Sequence, residues 1–321
     1  MSENDTIAVI IAAYNEEKYI EQCINSIITQ TDYNNIDEII VINDDSSDNS
    51  LKILDKLKQS NDKLNIFTTN GIGVSAARNF GIKKNKSDFI AFLDGDDYWT
   101  NNKLENHLKV LNNNPLIGLT YGDFWDFGKN DGSDATYVTV KSLNNVNQLL
   151  EYFIFDAPIV PSTTICRNEV FETVGLFNEN FKASEDTEMY LRVAEKWQIF
   201  YVKGAYSYKR KSLSQITHRQ DKLLKNQEII GQITVKRNPH LKKFLTKRDS
   251  FRNFKVGIDF LIIHNKKRKA LIYALKAIKL NIFNTRAWVL MIMILIPQKV
   301  TIYIYNLIKN NFYKMRNLTN K

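Results

Sequence analysis
Apolar runs alternate with amphipathic stretches over the first hundred positions. Ile7 to Ala13 is unbroken and apolar, the pattern of a strand buried on both faces. After it, Tyr19, Ile20, Cys23, Ile24, Ile27 and Ile28 recur at helical spacing, with Asn15 placed to cap the helix. Residues 38–42 predict a second strand, and Ser47 a cap for a helix carrying Leu51, Ile53, Leu54 and Leu57. Residues 64–68 predict a third short strand, Gly71 and Gly73 a turn, and residues 74–84 a helix. The fourth strand is expected at 88–93. Strand alternating with helix indicates a parallel α/β sheet covered on both faces.

The pattern loosens beyond Thr100, the expected cap of a helix running to about 111. A strand at 119–121, a polar loop or hairpin over 122–147, a helix at 148–155 and a strand at 163–166 follow. Residues 184–188 open a helix carrying Met189, Leu191, Val193, Ala194 and Trp197, and 198–202 forms another strand. After 205 the chain turns basic and mostly helical.

Charge divides the chain. The net charge of +9 conceals 27 Lys/Arg against 4 Asp/Glu in residues 201–321, and 17 against 31 in residues 1–200. The acidic part, 1–215 with halves at about 1–100 and 101–215, is expected to have a different job from the basic part. The basic part, 216–321, is a helical extension suited to nucleic acid or to an anionic membrane leaflet. Cys23 and Cys166 lie in no metal or redox spacing, which predicts buried, reduced thiols. A polar start predicts no leader peptide, and no apolar run reaches the ~18 residues that a span requires.

Ligands of such sheets bind beyond the carboxyl ends of the strands. Polar residues cluster there: Tyr14-Asn15-Glu16, Asn43-Asp44-Asp45-Ser46 and Asp94-Gly95-Asp96-Asp97. The last segment places three carboxylates within four residues. It calls for a hard cation, which one or two carboxylates and substrate phosphates would hold.

In this order the segments resemble family 2 glycosyltransferases, inverting enzymes of the GT-A fold, a Rossmann-like mixed sheet, that use nucleotide-sugar donors. The likeness runs from about Ile7 to Ser214. It is carried by residues 9–17, residues 41–48, the arginine-bearing helix at 73–81, the Asp94-Gly95-Asp96 motif, and residues 174–177 followed by Ser184-Glu185-Asp186.

The resemblance implies roles. Ala13 and Tyr14 would face the base and ribose, Glu16 the ribose or a base atom, and Asp44 the imide N–H of uracil. Arg78 would meet a phosphate or a carboxylate of the acidic cluster. Asp94 would hold ribose or a metal-bound water, and Asp96 a divalent Mn or Mg. Asp97 would support the cluster or cap the helix near 100. Asp186 is the expected base, kept ionised by a helix N-terminus, with Glu185 orienting the acceptor. Lys211 falls where many relatives carry histidine and would neutralise phosphate, with His218 the alternative. Asn43 replaces a common aspartate, which puts a supporting contact in doubt.

The implied partners are a nucleotide-sugar, a UDP-sugar first, and a saccharide or lipid-linked acceptor in surface polysaccharide or glycolipid assembly. The apolar run Ala287 to Ile296, flanked by cations and followed by Tyr303, Ile304 and Tyr305, predicts an interfacial helix on the inner membrane surface. Packing on the catalytic domain or in a homodimer is the alternative. The expected location is cytoplasmic, peripheral to the membrane. A nucleic-acid binder would carry a recognised module in the basic tail, which is absent. A nucleotidyltransferase would carry a basic glycine-rich loop where Tyr14-Asn15-Glu16 stands.

Overall fold
The computed structural model describes residues 5–128, 132–140, 142, 150, 151, 154, 159–211, 220–303 and 305. The chain divides into two compact units, 1–219 and 220–321.

The first unit is built on one mixed sheet. Its strands are β1 (Ile7–Ala13), β2 (Ile36–Asp44), β3 (Leu64–Thr69), β4 (Phe89–Asp94), β5 (Tyr98–Trp99), β6 (Ile117–Phe127), β7 (Thr136–Val138), β8 (Ile165–Arg167) and β9 (Gln198–Arg210). The order is β3-β2-β1-β4-β8-β6-β9-β5, with β7 paired to β6. The first four strands are parallel neighbours, in register Ala13↔Asn43 and Ala12↔Asp94 at their carboxyl ends. β8 then runs antiparallel between β4 and β6, and β9 returns parallel to β6. The parallel arrangement read from the first hundred positions holds for those four strands, and the whole is the mixed sheet that the resemblance implies.

The described residues of this unit also form helices α1 (Ile20–Ile28), α2 (Ser50–Lys58), α3 (Val74–Lys84), α4 (Lys103–Asn113), α5 (Asn168–Val174) and α6 (Glu185–Lys196). Ile7, Val9 and Ile11 of β1 are fully buried, and one core joins them to Cys23, Ile24 and Ile27 of α1 and Leu104 and Leu108 of α4. α3 approaches the sheet closely at Gly81, where a Cβ would stand 2.5 Å from Ile10 Cγ2. Cys23 and Cys166 are free and buried, as expected.

Three expected caps do different work. Asn15 lies in the left-handed region (φ 57°) and its Oδ1 accepts from the Ser47 N–H, tying two strand ends together. The cap positions of α1, α2 and α4 belong to Tyr19, Asn49 and Asn102 instead. Asp48 accepts from Ser50 N at 2.9 Å, and Thr100 Oγ1 donates to Asn102 at 3.0 Å. Two strands also outrun expectation. β6 continues to Phe127 because its buried Asp123 is satisfied by the Tyr137 and Tyr201 hydroxyls at 2.6 and 2.7 Å and by Val140 N at 2.7 Å. β9 pairs along β6 to Arg210. The expected hairpin appears as β6–β7. The helix expected at 148–155 falls mostly outside the described residues.

The second unit contains α7 (Gln220–Arg237), α8 (Lys242–Ile262), α9 (Lys267–Leu280) and α10 (Thr285–Leu295). Val256, Phe260 and Leu261 of α8, Ala270 and Ala274 of α9, and Leu290, Met293 and Ile294 of α10 form its core. Gly257 allows the contact, since a Cβ there would lie 2.6 Å from Leu290. Asn284 caps α10, accepting from Ala287 N. Among the described residues no helix is long and apolar enough to cross a membrane.

Candidate active site
The carboxyl ends of β1, β2 and β4 open on a cavity of about 650 Å³. Its lining includes Ala13, Tyr14, Glu16, Asp44, Arg78, Asp94, Asp96, Glu185 and Asp186. Nine of the ten residues expected at the site are thus brought together from the ends of β1, β2 and β4 and from α3 and α6.

Asp44 ends β2 and is almost fully buried. Its Oδ1 accepts from Thr69 Oγ1 at 2.7 Å and Ile72 N at 2.8 Å, and its Oδ2 from Gly73 N at 2.7 Å. The carboxylate therefore shapes the turn before α3. Gly73 adopts φ 87°, a conformation that a side chain would strain. Tyr14 is 59% exposed, so it is a surface of the cavity and not a core residue.

Arg78, on α3, is buried. Its Nη2 lies 2.7 Å from Asp94 and its Nη1 2.8 Å from Glu185. Of the two partners the sequence left open, phosphate or carboxylate, the structure shows the carboxylates. Burial works against the guanidinium's charge, but Asp94 and then Glu185 more than offset it, and its pKa is raised. The next residue, Asn79, accepts from Phe177 N at 2.8 Å and donates to Phe177 O and Glu179. Two adjacent side chains of α3 thus hold the segment that leads into α6.

The acidic loop is crowded. A Cβ at Gly95 would stand 3.1 Å from Glu16 Cγ, so the Glu16 stem packs on the backbone of the acidic loop. Burial, then Asp96, Asp94 and Asp48, push Glu16 up to about 8 against the pull of Arg210. Burial and then Asp94 push Asp96 up to about 6. Asp97 caps no helix. It accepts from Ser162 Oγ at 2.6 Å and Arg210 N at 2.8 Å, and burial followed by its acidic neighbours raises its pKa strongly. Arg210 closes the loop from β9, donating to Asp96 O at 3.0 Å and stacking 3.9 Å above the Tyr19 ring.

Asp186 sits in the first turn of α6, after Ser184 in the left-handed region (φ 61°). The expected lowering of its pKa does not occur. Burial and then Glu185 push it up to about 7, against the Thr187 N–H and Arg78. The helix terminus is outweighed by burial, to which the charge of Glu185 adds.

Lys211 is not in the cavity lining. Its Nζ lies 3.6 Å from Asp126, at the surface. Lys209, two positions earlier on β9, does line the cavity, with Lys182 and Glu179. β9 ends at Arg210, so Lys209 is held within the strand while Lys211 lies just past its end, beside Asp126. Ser212 to Ser214 and His218 lie outside the described residues. Asn43 is buried, and its Oδ1 has no hydrogen-bond partner.

A Glycosyl transferase family 2 model matches residues 8–175, from β1 through the segment before α6. The chain belongs to glycosyl transferase family 2. An uncharacterized glycosyltransferase of Haemophilus influenzae is 36% identical over 146 residues, 45% of this chain and 57% of that protein. Glycosyltransferase GlyA of Streptococcus pneumoniae is 34% identical over 133 residues, 41% of this chain but 18% of its own length. Glycosyltransferase GlyG of the same organism is 26% identical over 65% of this chain and 72% of its own. This family 2 chain thus spans little more than half of the first of these relatives and under a fifth of GlyA. Its fold is that of S. aureus TarS 1–349, solved with UDP-GlcNAc, at TM-score 0.63 and 19% identity over 86% of this chain and 81% of that one. The GT-A-like mixed sheet and the helical C-terminal region agree with the fold expected from the sequence.

Proposed function
We propose that the protein moves a sugar from a nucleoside-diphosphate sugar, a UDP-sugar first, to an acceptor hydroxyl with inversion at the anomeric carbon. One observation carries this reading. A single cavity joins a buried carboxylate held by backbone N–H groups, an acidic loop, and a carboxyl whose pKa is pushed up to about 7. The TarS structure with UDP-GlcNAc, which shares the fold, makes UDP-sugars the first class to test.

Tyr14 and Asp44 would face the nucleoside, and Ala13 and Glu16 would border the ribose. Lys209, in place of Lys211, is the lining cation suited to the diphosphate. Asp186 would accept the proton of the attacking hydroxyl as it approaches opposite the leaving diphosphate. A base poised near 7 combines an ionised fraction at neutral pH with a useful proton affinity. Glu185 is fixed by Arg78 and would orient the acceptor.

The loop chemistry fits a divalent cation. Its donors are hard oxygens, and the mutual repulsion of Glu16, Asp94 and Asp96 would be relieved by one. Among the described residues no three His, Cys, Asp or Glu side chains are grouped to hold a metal by themselves. Asp96, with Asp94 beside it, would therefore share Mg²⁺ or Mn²⁺ with the donor phosphates. When bound, the ion offsets charge growing on the leaving group. The acceptor would be a saccharide or a lipid-linked one in surface polysaccharide or glycolipid assembly, on the cytoplasmic side.

The test is a screen of UDP-, GDP- and dTDP-sugars for binding and turnover with Mg²⁺ or Mn²⁺. Asp96→Ala should lose metal-dependent donor binding. Asp186→Asn should keep donor affinity and lose transfer by roughly 10²–10⁴-fold. Full transfer in Asp186→Asn would sink the base assignment, and donor binding indifferent to metal would sink the metal.

A further inference from the structure
The second unit carries an apolar surface that its own core does not use. α10 buries Ala287, Leu290 and Met293 among α8 and α9. The opposite side turns outward. Trp288 (46% exposed), Ile292 (62%) and Leu295 (85%) recur there at helical spacing, and Phe283, just before the helix, is 88% exposed. Among the described residues of this unit nothing covers that stripe. Exposed clusters of this kind mark docking surfaces, whereas single exposed apolar residues need no explanation.

Charge identifies the occupant. Lys267 Nζ donates to Ile296 O at 2.9 Å, which places the start of α9 beside the end of α10. That start reads Lys266-Lys267-Arg268-Lys269, and Arg268 and Lys269 are exposed. Residues 260–321 contain 12 Lys/Arg and no Asp or Glu. A second copy would bring the same cations to the same edge and repel. Nucleic acid would satisfy the cations but leave Ile292, Leu295 and Phe283 in water. An anionic bilayer satisfies both, with the apolar stripe at the headgroup–acyl boundary and the cations against lipid phosphates.

We propose that α9 and α10 dock the protein on an anionic lipid bilayer through Phe283, Trp288, Ile292 and Leu295, with Lys266, Arg268 and Lys269 meeting the headgroups. The inference stands independently of the donor chemistry. Were both correct, a lipid-linked acceptor would be presented where the enzyme resides.

The full chain is sedimented with vesicles of phosphatidylcholine alone and of phosphatidylcholine mixed with phosphatidylglycerol. Binding is expected to the mixed vesicles, to weaken with salt, and to be weak on the neutral ones. Lys266→Ala, Arg268→Ala and Lys269→Ala together should lower it by roughly 100-fold. Ile292→Asp with Leu295→Asp should abolish it while circular dichroism stays that of the parent. Equal binding to both vesicle types, or mixed-vesicle binding unchanged in either variant, overturns the proposal. So does a parent dimer in light scattering that Leu295→Asp splits, which would make the occupant a second copy. Loss of oligonucleotide binding in the same variants, with vesicle binding kept, would make the occupant nucleic acid.

Discussion
Asp44, at the end of β2, and Asp186, at the start of α6, border one cavity in opposite settings. Asp44 accepts two backbone N–H groups and a hydroxyl. Asp186 accepts one backbone N–H and stands next to Glu185, with its pKa pushed up to about 7. At Asp186 burial acts first and the charge of Glu185 second. The same side chain is thereby suited to fixed binding in one place and to proton transfer in the other. Arg78 stands on the boundary between the two settings, because it neutralises Glu185 and so limits how far Asp186 is raised.

Breaking that boundary has the largest expected effect. Arg78→Met leaves Asp94, Glu185 and Asp186 uncompensated and should cost about 3 kcal/mol in chemical denaturation, the low end for a broken buried pair. The low end applies because Asp94 is 31% exposed. A variant as stable as the parent would show that the clamp contributes nothing to stability.

The pH dependence is next in size. Transfer should fall as pH drops through about 7, because Asp186 must be ionised to accept a proton. The sign for stability is opposite. A folded-state pKa above the unfolded value of 3.8 means that the native state binds the extra proton, so this group's contribution fades as pH rises toward 7. An activity limb near 4 would show that the base is not a raised Asp186.

The smallest effect tests Asp44. Thr69→Val deletes one of its three donors and should cost about 1 kcal/mol, read from the denaturation midpoint, since both backbone N–H groups remain. A severalfold larger loss would mean that the hydroxyl, and not the turn, holds the carboxylate.

The lining residues at the ends of β1, β2 and β4 were legible because strand ends in parallel sheets converge on one edge, whereas Arg78, Glu185 and Asp186 were identified through the family resemblance. β1 matches its expected bounds, Ile7–Ala13, and α3 spans 74–84 as expected. Asn15, Ser47 and Thr100 were misread as caps. Their donors and acceptors are spent across strands or beside the helix, and local spacing carries no trace of that choice. Lys211 was misplaced because β9 was expected to stop at 202, whereas the strand runs to Arg210 and leaves Lys211 just past its end, beside Asp126.

Hydrophobic periodicity and polar strand ends by themselves determined the α/β order of the first half, the candidate carboxylates and the basic character of the tail. Only tertiary structure decided which carboxylates are clamped and which are raised, that β8 inverts the sheet, and that α10 has an uncovered apolar side. The physical reason is common to all three. Spacing along a chain specifies which face a residue shares, whereas burial and the charge of a distant neighbour specify what that residue does there.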